Sequence, residues 1–74
     1  MNEELLDVRG LVCPLPVLRA RKALKALPAG ARLRMLATDP QAVRDVRLFC
    51  EQTGHILVDS HEDGEVFSFL IERC

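Results

Sequence analysis

The stretch Leu6-Asp7-Val8-Arg9-Gly10-Leu11-Val12-Cys13-Pro14-Leu15-Pro16 contains the end of a strand, a turn and the start of a helix. Leu5 to Val8 reads as a short strand closed by Arg9-Gly10. Beyond the prolines, apolar residues recur at helical spacing. Val17, Ala20, Leu24 and Leu27 line one stripe, while Arg19, Arg21, Lys22 and Lys25 lie mostly elsewhere. Cys13 therefore sits on a strand-to-helix turn, a place that suits chemistry better than packing.

Three effects bear on that thiol. Unpaired amides and the helix dipole at an N-terminus favour negative charge, so a thiolate and a lowered pKa are expected at Cys13. Pro14 fits the first helical position, where a missing N–H costs nothing. A residue before proline is pushed toward extended backbone, which suits Cys13 as the capping residue. Pro16 restricts Leu15 in the same way, so the helix starts at Pro14 or at Pro16. The amides of Leu15 and Val17 are candidates to face the sulfur or an anion.

The other two cysteines read differently. Ala42, Val43, Val46, Phe49, Cys50 and Thr53 trace one helical stripe, which makes Cys50 a core residue. Cys74 is expected to be frayed and exposed. The three spacings form neither a CxxC pair nor a disulfide framework, as expected of a reducing compartment.

Outward from the first helix, Pro28-Ala29-Gly30 is a break, and Ala31 to Ala37 alternates as a second strand. Asp39-Pro40 starts a second helix, with Asp39 as its cap, and Gly54 stops it after Thr53. Ile56 to Ser60 is a third strand, Glu62-Asp63-Gly64 a turn, and Val66 to Arg73 a fourth strand with Phe67, Phe69 and Ile71 on one face. The order is βαβαββ. Right-handed crossovers between parallel strands place both helices on one face of a mixed four-stranded sheet, giving an α+β two-layer sandwich. On the open face Leu36, Val66 and Leu70 alternate with Arg32, Arg34 and Ser68, which reads equally as ordinary surface or as a self-association patch.

This layout sends Cys13 and Asp39 to the same edge, beyond the carboxyl ends of the parallel strands where open α/β sheets bind ligands. Arg9, Gly10 and Arg44 are their neighbours. His55 and Cys74 belong to the opposite edge, and His61 to a polar turn. Capping alone explains Asp39, with a role at the site as its second reading.

The 74 residues are expected to form one domain, 1–74, with 49% apolar residues to fill a core. No apolar run approaches membrane-spanning length, and the N-terminus lacks a signal pattern, so a cytoplasmic protein with no membrane contact is expected. The net charge of −1 conceals an asymmetry: residues 1–37 carry +4 and residues 38–74 carry −5. The basic run from Val17 to Arg34 reads as a solvated helix face, or as an electropositive surface that steers an acidic partner to Cys13. No zinc spacing or phosphate-binding glycine loop occurs, so no metal or cofactor is expected. Phe49, Phe67 and Phe69 sit at core positions, leaving no base-stacking platform, and direct nucleic-acid binding is not expected.

Leu6-Asp7-Val8-Arg9-Gly10-Leu11-Val12-Cys13-Pro14-Leu15-Pro16 resembles the signature of the TusA/SirA-like sulfur-carrier family, defined by a CPxP motif. Asp39-Pro40, Arg44-Asp45-Val46-Arg47-Leu48-Phe49-Cys50 and Gly54-His55-Ile56-Leu57 resemble later parts of the family pattern, and the likeness spans essentially the whole chain. It implies the same βαβαββ sandwich and a sulfurtransferase-type activity. By it, Cys13 accepts sulfane sulfur as a persulfide from a PLP-dependent cysteine desulfurase or a rhodanese-like donor, and relays it to a downstream acceptor protein. The pathways implied are tRNA 2-thiouridine synthesis, molybdenum-cofactor supply or sulfur oxidation. Arg9, Gly10, Pro14, Pro16 and Asp39 then support Cys13, and Arg19, Arg21, Lys22 and Lys25 meet the partner. A single-cysteine redox sensor and a nucleic-acid-binding module are the competing readings.

Overall fold

The computed structural model describes residues 3–74 and runs β1 (Glu3–Asp7), α1 (Leu15–Lys25), β2 (Arg32–Ala37), α2 (Gln41–Thr53), β3 (Ile56–Asp63) and β4 (Val66–Glu72). The four strands form one sheet in the order β1-β2-β4-β3. β1 lies parallel to β2, with Leu6 opposite Met35, and the other two pairings are antiparallel. The expected mixed sheet and element order are present.

Alternation along β2 puts Leu33, Met35 and Ala37 on the covered face, where they meet Phe69 and Ile71 of β4. α1 contributes Ala20 and Leu24 to this core, and α2 contributes Ala42, Val46, Phe49 and Cys50. One apolar layer between the sheet and two helices follows directly from the two periodicities. On the other face polar groups pair with each other: Arg34 donates to Ser68 Oγ at 3.0 Å and lies 3.7 Å from Asp59, and Arg32 meets Glu72 at 3.1 Å.

Helix ends differ from expectation in instructive ways. α1 begins at Leu15, so Pro14 takes the cap position and Cys13 precedes it. α2 begins at Gln41, with Pro40 rather than Asp39 at the cap position. Asp39 still satisfies an orphan donor, because its Oδ1 accepts from the Gln41 amide at 3.1 Å. Gly54, at φ +86°, closes α2 in the left-handed region and returns its N–H to the Cys50 carbonyl at 2.9 Å.

The hairpin is tighter than the expected Glu62-Asp63-Gly64 turn. β3 continues through His61 and Glu62 to Asp63, which pairs with Val66. Gly64, at φ +65°, supplies the positive angle that a two-residue connection demands, so the turn is Gly64-Glu65. His61 thus belongs to a strand, with its Nδ1 2.9 Å from Asp59. Among the described residues no helix is long and apolar enough to cross a membrane.

Candidate functional site

The site is built where β1 and β2 end side by side. The Val8 N–H donates to the Leu36 carbonyl at 2.9 Å, extending the parallel pairing by one residue. Gly10 then turns at φ +84°, and its N–H donates to Thr38 Oγ1 at 2.9 Å. Two residues before the helix, the Cys13 N–H donates to Asp39 Oδ2 at 2.7 Å. Asp39 therefore holds both chains at once, the Cys13 amide on one oxygen and the Gln41 amide on the other. Cys13 itself is exposed.

The sulfur is accessible but is not held as an anion. Its pKa lies above the usual thiol value, with the nearby Asp45 side chain as the first cause. Desolvation and the charges of Asp45 and Asp39 push the same way, while Arg44 opposes them. This overturns the lowered pKa expected from a helix N-terminus, and the reason is structural. The Cys13 amide is spent on Asp39, Pro14 and Pro16 have no N–H to offer, and the Leu15 N–H donates to the Val12 carbonyl at 2.9 Å. The amides of Cys13 and Leu15 are thus spent, and the nearby carboxylates raise the pKa.

Residues 4–73 match the family model described as sulfurtransferase TusA. The chain belongs to the TusA sulfur-carrier family. Relatives include the sulfur carrier protein TusA of Allochromatium vinosum, 50% identical over 92% of this chain and 90% of that one. The sulfur carrier protein TusA of Pseudomonas putida is 38% identical over 96% and 89%. The crystal structure of a SirA-like protein from Desulfitobacterium hafniense superposes with a TM-score of 0.82, at 30% identity over 92% of this chain and 93% of that one.

Set in that family fold, the expected site residues divide. Cys13, Gly10, Pro14 and Asp39 come together at the edge, and Arg44 joins them through its charge on the thiol. Pro16 is buried in the first turn of α1 and braces the helix start from beneath. Arg9 is turned to Asp7, with its Nε and terminal nitrogen on the two carboxylate oxygens at 2.9 and 2.7 Å, which lowers the Asp7 pKa to about 2. Arg19, Lys22 and Lys25 are exposed on α1, whereas the Arg21 guanidinium lies 5.2 Å over the Phe49 ring.

Sequence reasoning missed Thr38 and Asp45. Thr38 had little signal beyond standing before Asp39-Pro40. Asp45 had more: it flanks the core stripe of Ala42 and Val46 in the half of α2 nearest the Cys13 edge. At the opposite edge Cys74 is not frayed as expected. Its N–H donates to His55 Nδ1 at 3.1 Å and its Sγ lies 3.6 Å from the Thr53 carbonyl.

Proposed function

We propose that Cys13 is the residue on which this carrier bears sulfur. A persulfide donor offers R–S–SH. Cys13 Sγ attacks the outer sulfur, a new S–S bond forms as the donor's bond breaks, and the donor departs as a thiol after taking up a proton. The sulfane sulfur keeps its oxidation state, so no reductant is consumed. Delivery repeats the exchange with Cys13–S–SH as the donor. The observation that supports this reading is an exposed sulfur on a turn whose amide is pinned by Asp39 at 2.7 Å. A carrier sulfur has to be reached by two different proteins in turn, and a fixed, exposed loop serves both.

The donor is a cysteine desulfurase or a rhodanese-like protein, met by the cationic face of Arg19, Arg21, Lys22 and Lys25. The acceptor is a downstream relay protein in tRNA 2-thiouridine synthesis, molybdenum-cofactor supply or sulfur oxidation, in the cytoplasm. A pKa above the usual thiol value leaves deprotonation of Cys13 to be assisted by the docked partner. The test is intact mass after anaerobic incubation with a cysteine desulfurase and cysteine. Wild type gains one sulfur and Cys13→Ser gains none; no gain on wild type with an active desulfurase overturns the reading.

A further inference from the structure

Between β1 and α1 the chain makes two turns. The Leu11 N–H closes the first on the Val8 carbonyl at 3.2 Å, and the Leu15 N–H closes the second on the Val12 carbonyl at 2.9 Å. These bonds shape the loop from within, and Leu11 packs against the core beneath it. Two further bonds tie it to a distant part of the chain: Gly10 N–H to Thr38 Oγ1 at 2.9 Å and Cys13 N–H to Asp39 Oδ2 at 2.7 Å. The two acceptors are consecutive, half-buried residues of the connection between β2 and α2. Asp39 Oδ1 is itself taken by the Gln41 amide at 3.1 Å, which seats the carboxylate on the first turn of α2. The Cys13 turn is thus anchored to the start of α2, although it leads into α1.

We propose that Thr38 and Asp39 are a pair of positioning residues that clamp the Cys13 turn at two points, Thr38 through the Gly10 amide and Asp39 through the Cys13 amide, and so place the sulfur for attack within the docked complex. The proposal rests on Cys13 being the sulfur-bearing residue. Exchange between two protein sulfurs requires the reacting atoms about 3–3.5 Å apart and aligned, and a misplacement of about 1 Å costs on the order of a hundredfold in rate. A surface loop gives access but little definition. Its most pliable point is Gly10, at φ +84°, and that is the residue Thr38 holds. Asp39 holds the other end, at the cysteine itself. A carboxylate beside this thiol works against thiolate formation, so what Asp39 adds to transfer is placement.

The test is single-turnover transfer from a persulfidated cysteine desulfurase, read by intact mass over a series of desulfurase concentrations. Thr38→Val keeps the shape and removes the acceptor. Its rate at saturation falls about tenfold, while the half-saturating concentration stays within about twofold of wild type. Thr38→Ser restores the rate to within about twofold. Asp39→Asn, which offers one carbonyl oxygen to two amides, also loses about tenfold at saturation. Iodoacetamide needs no docked geometry, so its alkylation of Cys13, located by peptide mass, is unchanged in Thr38→Val and unchanged or faster in Asp39→Asn. Saturated transfer that stays at the wild-type rate, no rescue by serine, or alkylation that falls in proportion to transfer overturns the proposal. Hydrogen exchange reads the clamp without any sulfur donor. In Thr38→Val the Gly10 amide exchanges about tenfold faster, while the Val8 amide, bonded to Leu36, keeps its protection. An unchanged Gly10 rate, or equal loss at Val8, overturns the clamp. Failure of wild type to load would instead strike the carrier reading, and the two failures are distinguishable.

Discussion

Cys13 and Cys50 are both thiols held above the ordinary range, and the causes are opposite in kind. Cys50 is 5% exposed among Val46, Phe49 and the sheet, and burial alone pushes its pKa to about 11. Nothing that docks on the surface changes that. Cys13 is exposed, and its shift comes first from the neighbouring Asp45 side chain, then from desolvation and the charges of Asp45 and Asp39. One thiol is closed off by the core, and the other stands at the surface where neighbouring side chains set its charge.

The largest contrast is therefore functional. Cys13→Ser is expected to abolish sulfur loading while changing stability by less than about 0.5 kcal/mol, as for a surface substitution. Cys50→Ser is expected to keep loading at low temperature but to lose about 1–2 kcal/mol, since a hydroxyl enters an apolar layer. Paired thermal melts and intact masses check both, and the Tm loss falls on the Cys50 variant alone. Equal loss of fold in both variants would erase the distinction between the two sulfurs.

How much of this was readable in the chain follows the range of the interactions. The fold was legible because period-2 and period-3.6 patterns report burial directly: Leu33, Met35 and Ala37 alternate, and Ala42, Val46, Phe49 and Cys50 recur on a helix. The edge shared by Cys13 and Asp39 followed from strand-helix order alone. The charge state of Cys13 did not, because it depends on which group takes the amide of the turn and which charges stand nearby. That was decided by Asp39 and Asp45, 26 and 32 positions further on. The hairpin was misplaced for a local reason, since Asp63-Gly64 signals a turn but not which side of it the strand leaves. Cys74 is exposed as expected but tied down rather than frayed, because a terminal position says nothing of a histidine waiting beside it.

A smaller effect is expected on α1, where Lys22 and Lys25 are solvated and Arg21 covers Phe49. Reversing Lys22 and Lys25 to Glu should slow association with the sulfur donor by about tenfold at low salt, with little change in Tm. Adding Arg21→Glu should slow it further and also cost about 0.5–1 kcal/mol through the lost ring contact. Stopped-flow association across a salt series separates the two terms. Rates that do not respond to either reversal at low salt would remove the cationic face from partner capture.

The smallest expected effect lies at the far edge, where a histidine holds the backbone amide of the third cysteine. The His55 pKa is lowered by burial and by the charges of Arg73 and Arg21, and its Nδ1 accepts the Cys74 amide. A folded-state value below the unfolded one, near 6.5, means the folded form is favoured above that pH. The advantage fades as pH falls from about 6.5 through the lower folded value, because the charged ring no longer accepts at Nδ1. Hydrogen exchange at the Cys74 amide, corrected for intrinsic rate, should lose protection between about pH 7 and pH 5, and His55→Gln should flatten that dependence. Cys13 alkylation should follow the same curve in His55→Gln as in wild type, since the two thiols occupy opposite ends of the sheet. A coupled change at both would mean that the edges communicate through the core around Cys50, and the separation drawn between the sulfurs would fail.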